Sequence, residues 1–123
     1  MVIKNIVAGG VKVAFLLMFF IVAGCDNKAN SFNKKGLSFY TQGKYIEAIA
    51  EFKKALEYAP NNYDARYHLG IVYYAKGMTD ESISELKKAI EVNPNEPKAH
   101  YNIAFAYVTK ENVPQALVEY KRA

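Results

Sequence analysis

The chain has 123 residues, with 16 Lys and Arg against 12 Asp and Glu and a formal net charge of +4. That length allows one domain of ordinary size, and an apolar content of 51% with 14% aromatic residues is enough to bury a core and exclude intrinsic disorder. A single Cys excludes an internal disulfide and a Cys-rich zinc site, two His leave little material for metal or acid–base chemistry, and the charge is too mild to imply nucleic acid. The charge is also uneven. Residues 1–24 hold Lys4 and Lys12 and no acid, whereas residues 25–123 hold 14 basic and 12 acidic residues, a balance of +2.

The first 24 residues read as an address. Val13–Ala23 runs eleven residues without a polar side chain, behind a segment carrying Lys4 and Lys12. A bilayer span needs about 20 apolar residues. The short apolar run behind a basic region has the layout of a secretory signal. The segment ends Val22-Ala23-Gly24-Cys25, which resembles the lipobox of bacterial lipoproteins. The resemblance implies diacylglycerol on the Cys25 thiol, cleavage before Cys25, acylation of the new amine and a mature chain of residues 25–123. More than one acyl chain makes a stable anchor, whereas one is marginal. The other reading keeps residues 3–24 as an uncleaved membrane helix and Cys25 as an ordinary free Cys; Lys12 would then sit near mid-membrane at roughly 2.5–3.5 kcal/mol. Asp26 after the Cys resembles an inner-membrane retention signal and slightly favours that membrane. Residues 25–31 are polar and read as a short tether.

The remainder repeats itself every 34 residues without insertion. Gly36 falls on Gly70 and Ala104, Phe39 on Tyr73 and Tyr107, and Gly43 on Gly77 and Glu111. Ala48 falls on Ser82 and Ala116, Phe52 on Leu86 and Tyr120, Ala55 on Ala89 and Ala123, and Pro60 on Pro94. The units span about 29–62, 63–96 and 97–123. Each unit reads as two helices. In the second unit, Ala65, Leu69, Val72 and Tyr73 recur at helical spacing until Gly77 breaks the run. Ile83, Leu86, Ala89 and Ile90 form a second apolar stripe that Pro94 ends. Thr79 and Asn95 are candidate N-caps, and Pro97 and Pro114 suit first helical turns. Nothing alternates with period two. Gly70 within a helix costs about 1 kcal/mol against Ala, which is repaid only where a neighbour must come close.

These residues resemble the tetratricopeptide repeat, whose pattern runs close to W-x2-L-G-x2-Y, then A, then F, then A, then P. Leu69-Gly70-x2-Tyr73, Ser82-x3-Leu86, Ala89 and Pro94 cover one copy. Gly36-x2-Phe39, Ala48-x3-Phe52, Ala55 and Pro60 cover a second, and Ile103-Ala104-x2-Tyr107, Ala116-x3-Tyr120 and Ala123 a third. The resemblance implies an all-α, right-handed α-solenoid of about three helix hairpins over residues 32–123, following the lipoprotein signal. The bulky slot that opens each copy holds Phe32, Arg66 and His100, and the Leu slot of the first copy holds Lys35, which predicts a frayed first helix. Solenoids need polar end caps. The third copy stops short, so Val113, Ala116, Leu117 and Tyr120 are expected to leave an apolar end face that self-associates, docks a partner or belongs to a truncated chain.

No constellation of nucleophile and base, paired carboxylates or metal ligands can be assembled, so no enzyme activity, metal or cofactor is expected. His68 and His100 stand in different slots; His100 reads as a core or edge residue, and His68 as a groove or ordinary surface residue. Gly43-Lys44 is not a phosphate loop, because Ser38 replaces the earlier Gly and Tyr45 the hydroxyl residue. In tetratricopeptide stacks the first helices line a concave groove. By matched slots that groove includes Tyr40, Tyr67, His68, Ile71, Tyr74, Lys98, Tyr101, Asn102 and Phe105, with Asn33, Leu37 and Thr41 beside them. Tyr brings area and a hydroxyl with few rotors to freeze, so such a face suits an extended or helical peptide. One family subtype clamps a C-terminal carboxylate; Lys98 matches one of its slots, while Asn33, Leu37, His68 and Asn102 do not match the others. Lys53-Lys54, Lys87-Lys88 and Lys121-Arg122 recur on the second helices, either as a solvated face interleaved with Glu or as a basic stripe toward anionic lipid.

The sequence therefore points to a lipid-anchored interaction module of the bacterial cell envelope, with its domain on the periplasmic or extracellular side. It looks like the small repeat lipoproteins that scaffold pilus, secretion or outer-membrane assembly. Its partner would be a protein or peptide and not nucleic acid. The alternative is a structural subunit or fragment held by an uncleaved N-terminal helix and associating through its C-terminal helix.

Overall fold

A computed structural model of the protein describes residues 24–123. They form six helices: α1 over 24–41, α2 Tyr45–Tyr58, α3 Tyr63–Ala75, α4 Thr79–Val92, α5 Pro97–Thr109 and α6 Val113–Tyr120. No strand occurs among the described residues. The helices pair as α1/α2, α3/α4 and α5/α6, and each hairpin packs on the next through α2 on α3 and α4 on α5. The signal segment falls outside the described residues, apart from its last residue, Gly24. Residues 25–31 are not a tether: they are helical, and Ala29 is fully buried. Nor is α1 frayed at Lys35, which stays exposed while the helix runs on to residue 41.

The turn inside each hairpin repeats with the sequence. Lys44 N–H donates to Phe39 O at 2.9 Å, Met78 N–H to Tyr73 O at 2.8 Å, and Asn112 N–H to Tyr107 O at 2.9 Å. This wrap puts one residue of each turn in the left-handed region: Gly43 at φ 74°, Gly77 at φ 82° and, in the third copy, Glu111 at φ 57°. Only the last carries a Cβ there. Because Met78 is held by the wrap, it stands in the N-cap position of α4 without a side-chain bond, and Thr79 is already helical. Asn95 likewise yields the cap to Glu96, since Pro97 starts α5. Asn62 and Asn112 do cap, accepting from Ala65 N–H at 2.9 Å and Gln115 N–H at 3.4 Å.

The small residues work by letting bulky side chains in. A Cβ on Gly36 would lie 2.8 Å from the Phe52 ring, and one on Gly70 would lie 2.7 Å from Leu86 Cγ and 3.3 Å from Ser82 O. Phe52, Leu86, Ala48, Ala55 and Ala89 are all buried. In the third hairpin Ala104 replaces the Gly, and Tyr120 does not insert: it is 41% exposed, its ring edge-on to Tyr101 at 5.8 Å. The outer side of α6 is open at Val113, Leu117 and Tyr120 as expected, and also at Val118, whereas Ala116 is buried.

The slot that opens each copy carries a polar clamp in the last two hairpins. Arg66 Nη1 donates to Glu85 at 3.0 Å and Arg66 Nε to Pro60 O at 3.0 Å. Its head is thus engaged by protein and does not simply reach water. One repeat later, His100 Nδ1 lies 2.8 Å from Glu119 and Nε2 3.3 Å from Pro94 O. His100 and Glu119 are each only 7% exposed, so this clamp ties α6 to α5 from inside. In the first hairpin the slot holds Phe32, and Glu51 turns to Lys54 at 2.7 Å.

Candidate partner-binding groove

The first helix of each hairpin presents the positions that the repeat spacing assigned to the groove. Leu37, Ile71 and Phe105 stand 34 residues apart and mark an apolar line across α1, α3 and α5. Leu37 is 40% exposed and Phe105 45% exposed, with Ile71 half-buried between them. Val108 is exposed on the same helix as Phe105. It occupies the slot of Tyr40 and Tyr74, and that 34-residue match was signal enough to have included it.

On either side of this line, hydrogen bonds lock neighbouring helices together. Asn102 Nδ2 donates to the Tyr67 hydroxyl at 3.0 Å and to Lys98 O at 2.9 Å. The Tyr74 and Thr109 hydroxyls lie 2.7 Å apart, and the Tyr74 ring lies 5.5 Å from that of Phe105. Tyr67 stacks on Tyr63 at 5.8 Å. Burial, reinforced by the Glu96 carboxylate, pushes the Tyr63 phenol up to about 12, so it stays a neutral hydroxyl.

Tyr67, Lys98, Tyr101 and Asn102 are gathered around one cleft of about 470 Å³, together with Pro97 and Ala123, which the repeat spacing alone did not single out. Lys98 and Tyr101 are open to solvent, Tyr101 at 52%. The other assigned residues lie differently. Tyr40 is half-buried against Tyr45, with ring centroids 6.0 Å apart. His68 is turned inward, stacked on the core residue Phe52 at 5.7 Å, with the Tyr67 ring edge-on at 5.4 Å. Its burial pushes the imidazole below the usual histidine value against the opposing pull of Asp64, which leaves it the neutral ring. Among the described residues, no three His, Cys, Asp or Glu gather as metal ligands.

On the second helices, Lys54 and Lys88 each pair with a Glu three residues earlier at 2.7 Å, and Arg122 pairs with Glu119 at 3.4 Å. One residue of each recurring basic pair is therefore matched by a Glu three residues before it. Cys25 is a free thiol, partly exposed, in the first turn of the described α1. No helix among the described residues is long and apolar enough to cross a membrane.

A tetratricopeptide repeat profile matches residues 39–100, half of the chain. The chain belongs to the tetratricopeptide repeat family. A TPR repeat-containing protein of Borreliella burgdorferi is 46% identical over 50 residues, covering 41% of this chain and 22% of that protein. Among solved structures, MamA is similar with a TM-score of 0.76 at 26% identity, covering 77% of this chain and 56% of that one. The first TPR of Spaghetti (RPAP3), bound to the HSP90 peptide SRMEEVD, has a TM-score of 0.77 at 25% identity, with 79% and 77% covered. YrrB, described as a TPR protein with an unusual peptide-binding site, has a TM-score of 0.73 at 26% identity, with 77% and 49% covered. The match thus spans about a fifth of the Borreliella relative's length and just over half of MamA. The tetratricopeptide solenoid is a fold of protein–protein interaction modules, and its members are generally not enzymes.

Proposed function

We propose that this protein is a membrane-anchored interaction module that captures a polypeptide in the groove of its first helices and holds it at a bacterial envelope membrane. The observation that carries this reading is the solvent-open line Leu37–Ile71–Phe105, with Tyr101 and the Lys98 cleft at one end. Apolar anchors set among fixed polar groups are what a peptide site requires. Two structurally similar solenoids that are described with peptides or peptide sites support the same use of the face. No bond is made or broken; the anchor on Cys25 raises the groove's effective concentration near partners on the same membrane. A photocrosslinker in place of Phe105 is expected to trap a discrete set of envelope proteins, whereas the same probe at Tyr74, held by Thr109, traps far less. Equal capture at both positions overturns the groove reading. Metabolic labelling with a palmitate analogue checks the anchor: label on the wild type and none on Cys25→Ala is expected, and equal label on both overturns it.

A second reading is favoured by the outer side of α6, where Val113, Leu117 and Val118 are all exposed. Here that face pairs with a partner subunit or a second copy. Light scattering that shows a monomer at high concentration removes the self-pairing form of this reading.

A further inference from the structure

The first hairpin departs from the other two at one place, and the departure is chemically specific. Where Arg66 and His100 form interhelical clamps, Phe32 instead lays its ring on Tyr58, with centroids 5.5 Å apart and planes 12° from parallel. Three lysines cover this pair. The ammonium groups of Lys35 and Lys54 lie 5.7 Å from the Phe32 centroid, and that of Lys28 lies 5.4 Å from the Tyr58 centroid. Lys54 is also held by Glu51, whereas Lys28 and Lys35 have no ion pair among the described residues. Asp26, the acid of the same helix, lines a separate cleft with Asp64. The surface is a compact cationic patch on an aromatic floor, on α1 and the end of α2.

We propose that Lys28, Lys35 and Lys54 over Phe32 and Tyr58 form a docking surface for anionic lipid headgroups, which lays the first hairpin against the membrane. Charge complementarity argues for the occupant: ammonium groups pair with headgroup phosphates, while the half-buried Phe32 ring and the exposed Tyr58 ring suit the boundary between polar and apolar layers. Continuity argues for it too. Lys28 is one helical turn from Cys25, and the apolar run Val13–Ala23 ends just before it. The patch therefore sits where an anchored chain brings the domain nearest the bilayer, and to that extent the inference rests on the anchored reading. A surface docked there leaves the third hairpin and its open cleft directed away from the lipid.

The test uses the full chain reconstituted with vesicles of phosphatidylcholine alone or with about 30% phosphatidylglycerol. Lysines are acetylated with a water-soluble reagent and read one by one by mass spectrometry. Lys28, Lys35 and Lys54 are expected to react about fivefold more slowly in the anionic vesicles, relative to Lys87 and Lys121, and to recover in high salt. The variant K28Q/K35Q/K54Q, with unchanged circular dichroism, is expected to label its remaining lysines alike in both lipids. Equal reactivity of Lys28, Lys35 and Lys54 in the two vesicle types, with the chain bound, overturns the patch. So does protection by added nucleic acid where anionic vesicles give none. Flotation separates this inference from the anchor. Binding to both vesicle types keeps the anchor, binding to anionic vesicles only keeps the patch and removes the anchor, and binding to neither removes both.

Discussion

The fit of Leu86 into the space that Gly70 leaves is a quantitative statement about this fold. Adding one methyl in Gly70→Ala gains about 1 kcal/mol of intrinsic helix propensity. It also places a carbon 2.7 Å from Leu86 Cγ, 3.0 Å from Leu86 Cδ2 and 3.3 Å from Ser82 O. Leu86 is 1% exposed and cannot swing away, and the Ser82 carbonyl belongs to the backbone of α4, so α3 and α4 must separate. Overpacking of this kind costs typically about 1–3 kcal/mol in measured stability after the surroundings relax. At the upper half of that range the clash exceeds the propensity gain, and Gly70→Ala is expected to lower stability by about 1 kcal/mol. Leu86→Ala alone is expected to cost about 2–5 kcal/mol through lost burial and a cavity. In the double variant the methyl added at position 70 enters the vacated space, so its clash vanishes and its helix propensity remains. The two effects should then fail to add by about 1–3 kcal/mol, in the stabilising direction. Urea unfolding of the wild type, both single variants and the double variant closes this cycle. Strict additivity, or Gly70→Ala more stable than the wild type, would refute the idea that close approach is what the glycine serves.

Three further outcomes follow from the third hairpin and from His68. Glu111→Gly places the residue found at Gly43 and Gly77 into the same left-handed turn; it is expected to raise stability by about 1 kcal/mol, read as a higher thermal midpoint, and an unchanged midpoint removes strain at Glu111 from the account. His100→Arg, which copies the Arg66 clamp, is expected to keep α6 docked, whereas His100→Leu leaves the buried Glu119 with only Arg122 at 3.4 Å and should cost about 2 kcal/mol. Equal behaviour of the two variants in urea unfolding would mean that the clamp contributes nothing. His68 titrates below its unfolded value of about 6.5 because burial disfavours the imidazolium. Its contribution is therefore complete above about pH 6.5 and is lost as pH falls through the folded value, with a slope of at most about 1.4 kcal/mol per pH unit. The stability difference between wild type and His68→Phe should hold steady above neutrality and shift against the wild type in acid. A difference that stays flat between about pH 5 and 8 would show that His68 titrates alike in both states.

Most of the architecture was legible because its cause is local and periodic. The recurrence of Gly36/Gly70, Phe52/Leu86 and Gly43/Gly77 at one spacing encodes the helix pairs, their close approach and their turns. Slot matching also placed Tyr67, Lys98, Tyr101 and Asn102 around a common cleft. What it missed depended on contacts that no spacing encodes. Lys35 stands in an apolar slot yet does not fray α1, because its side chain is exposed and its charge stays in solvent. Residues 25–31 look like a polar tether, but they continue α1 as helix and bury Ala29. Arg66 looked like a stem with a wet head until Glu85, from the next helix, and the nearby Pro60 O met it. His68 and Asn102 occupy the same slot with opposite fates. A bulky ring, Phe52, draws the first inward, while Tyr67 of the preceding repeat holds the second at the groove.

That last contrast separates the residues that shape the groove from those that are free to bind. Tyr67 and Tyr74 carry the hydroxyls that sequence reasoning offers to a ligand, but these are already used, by Asn102 and Thr109 of the next repeat. Each bond fixes the spacing of α3 and α5, and a ligand that took one would have to replace it at no net gain. Phe105, Tyr101, Leu37 and Val108 carry no such obligation and expose much of their surface. Burial of their apolar area is the term left to drive capture, at about 25 cal/mol per Å². The fixed helix spacing reduces the entropy that capture would otherwise lose. Recognition here should accordingly tolerate changes in a partner's hydrogen bonding better than the loss of an apolar side chain. Phe105→Ala is expected to weaken capture more than Tyr74→Phe, and a partner-binding assay in which Tyr74→Phe is the worse of the two would reverse the division.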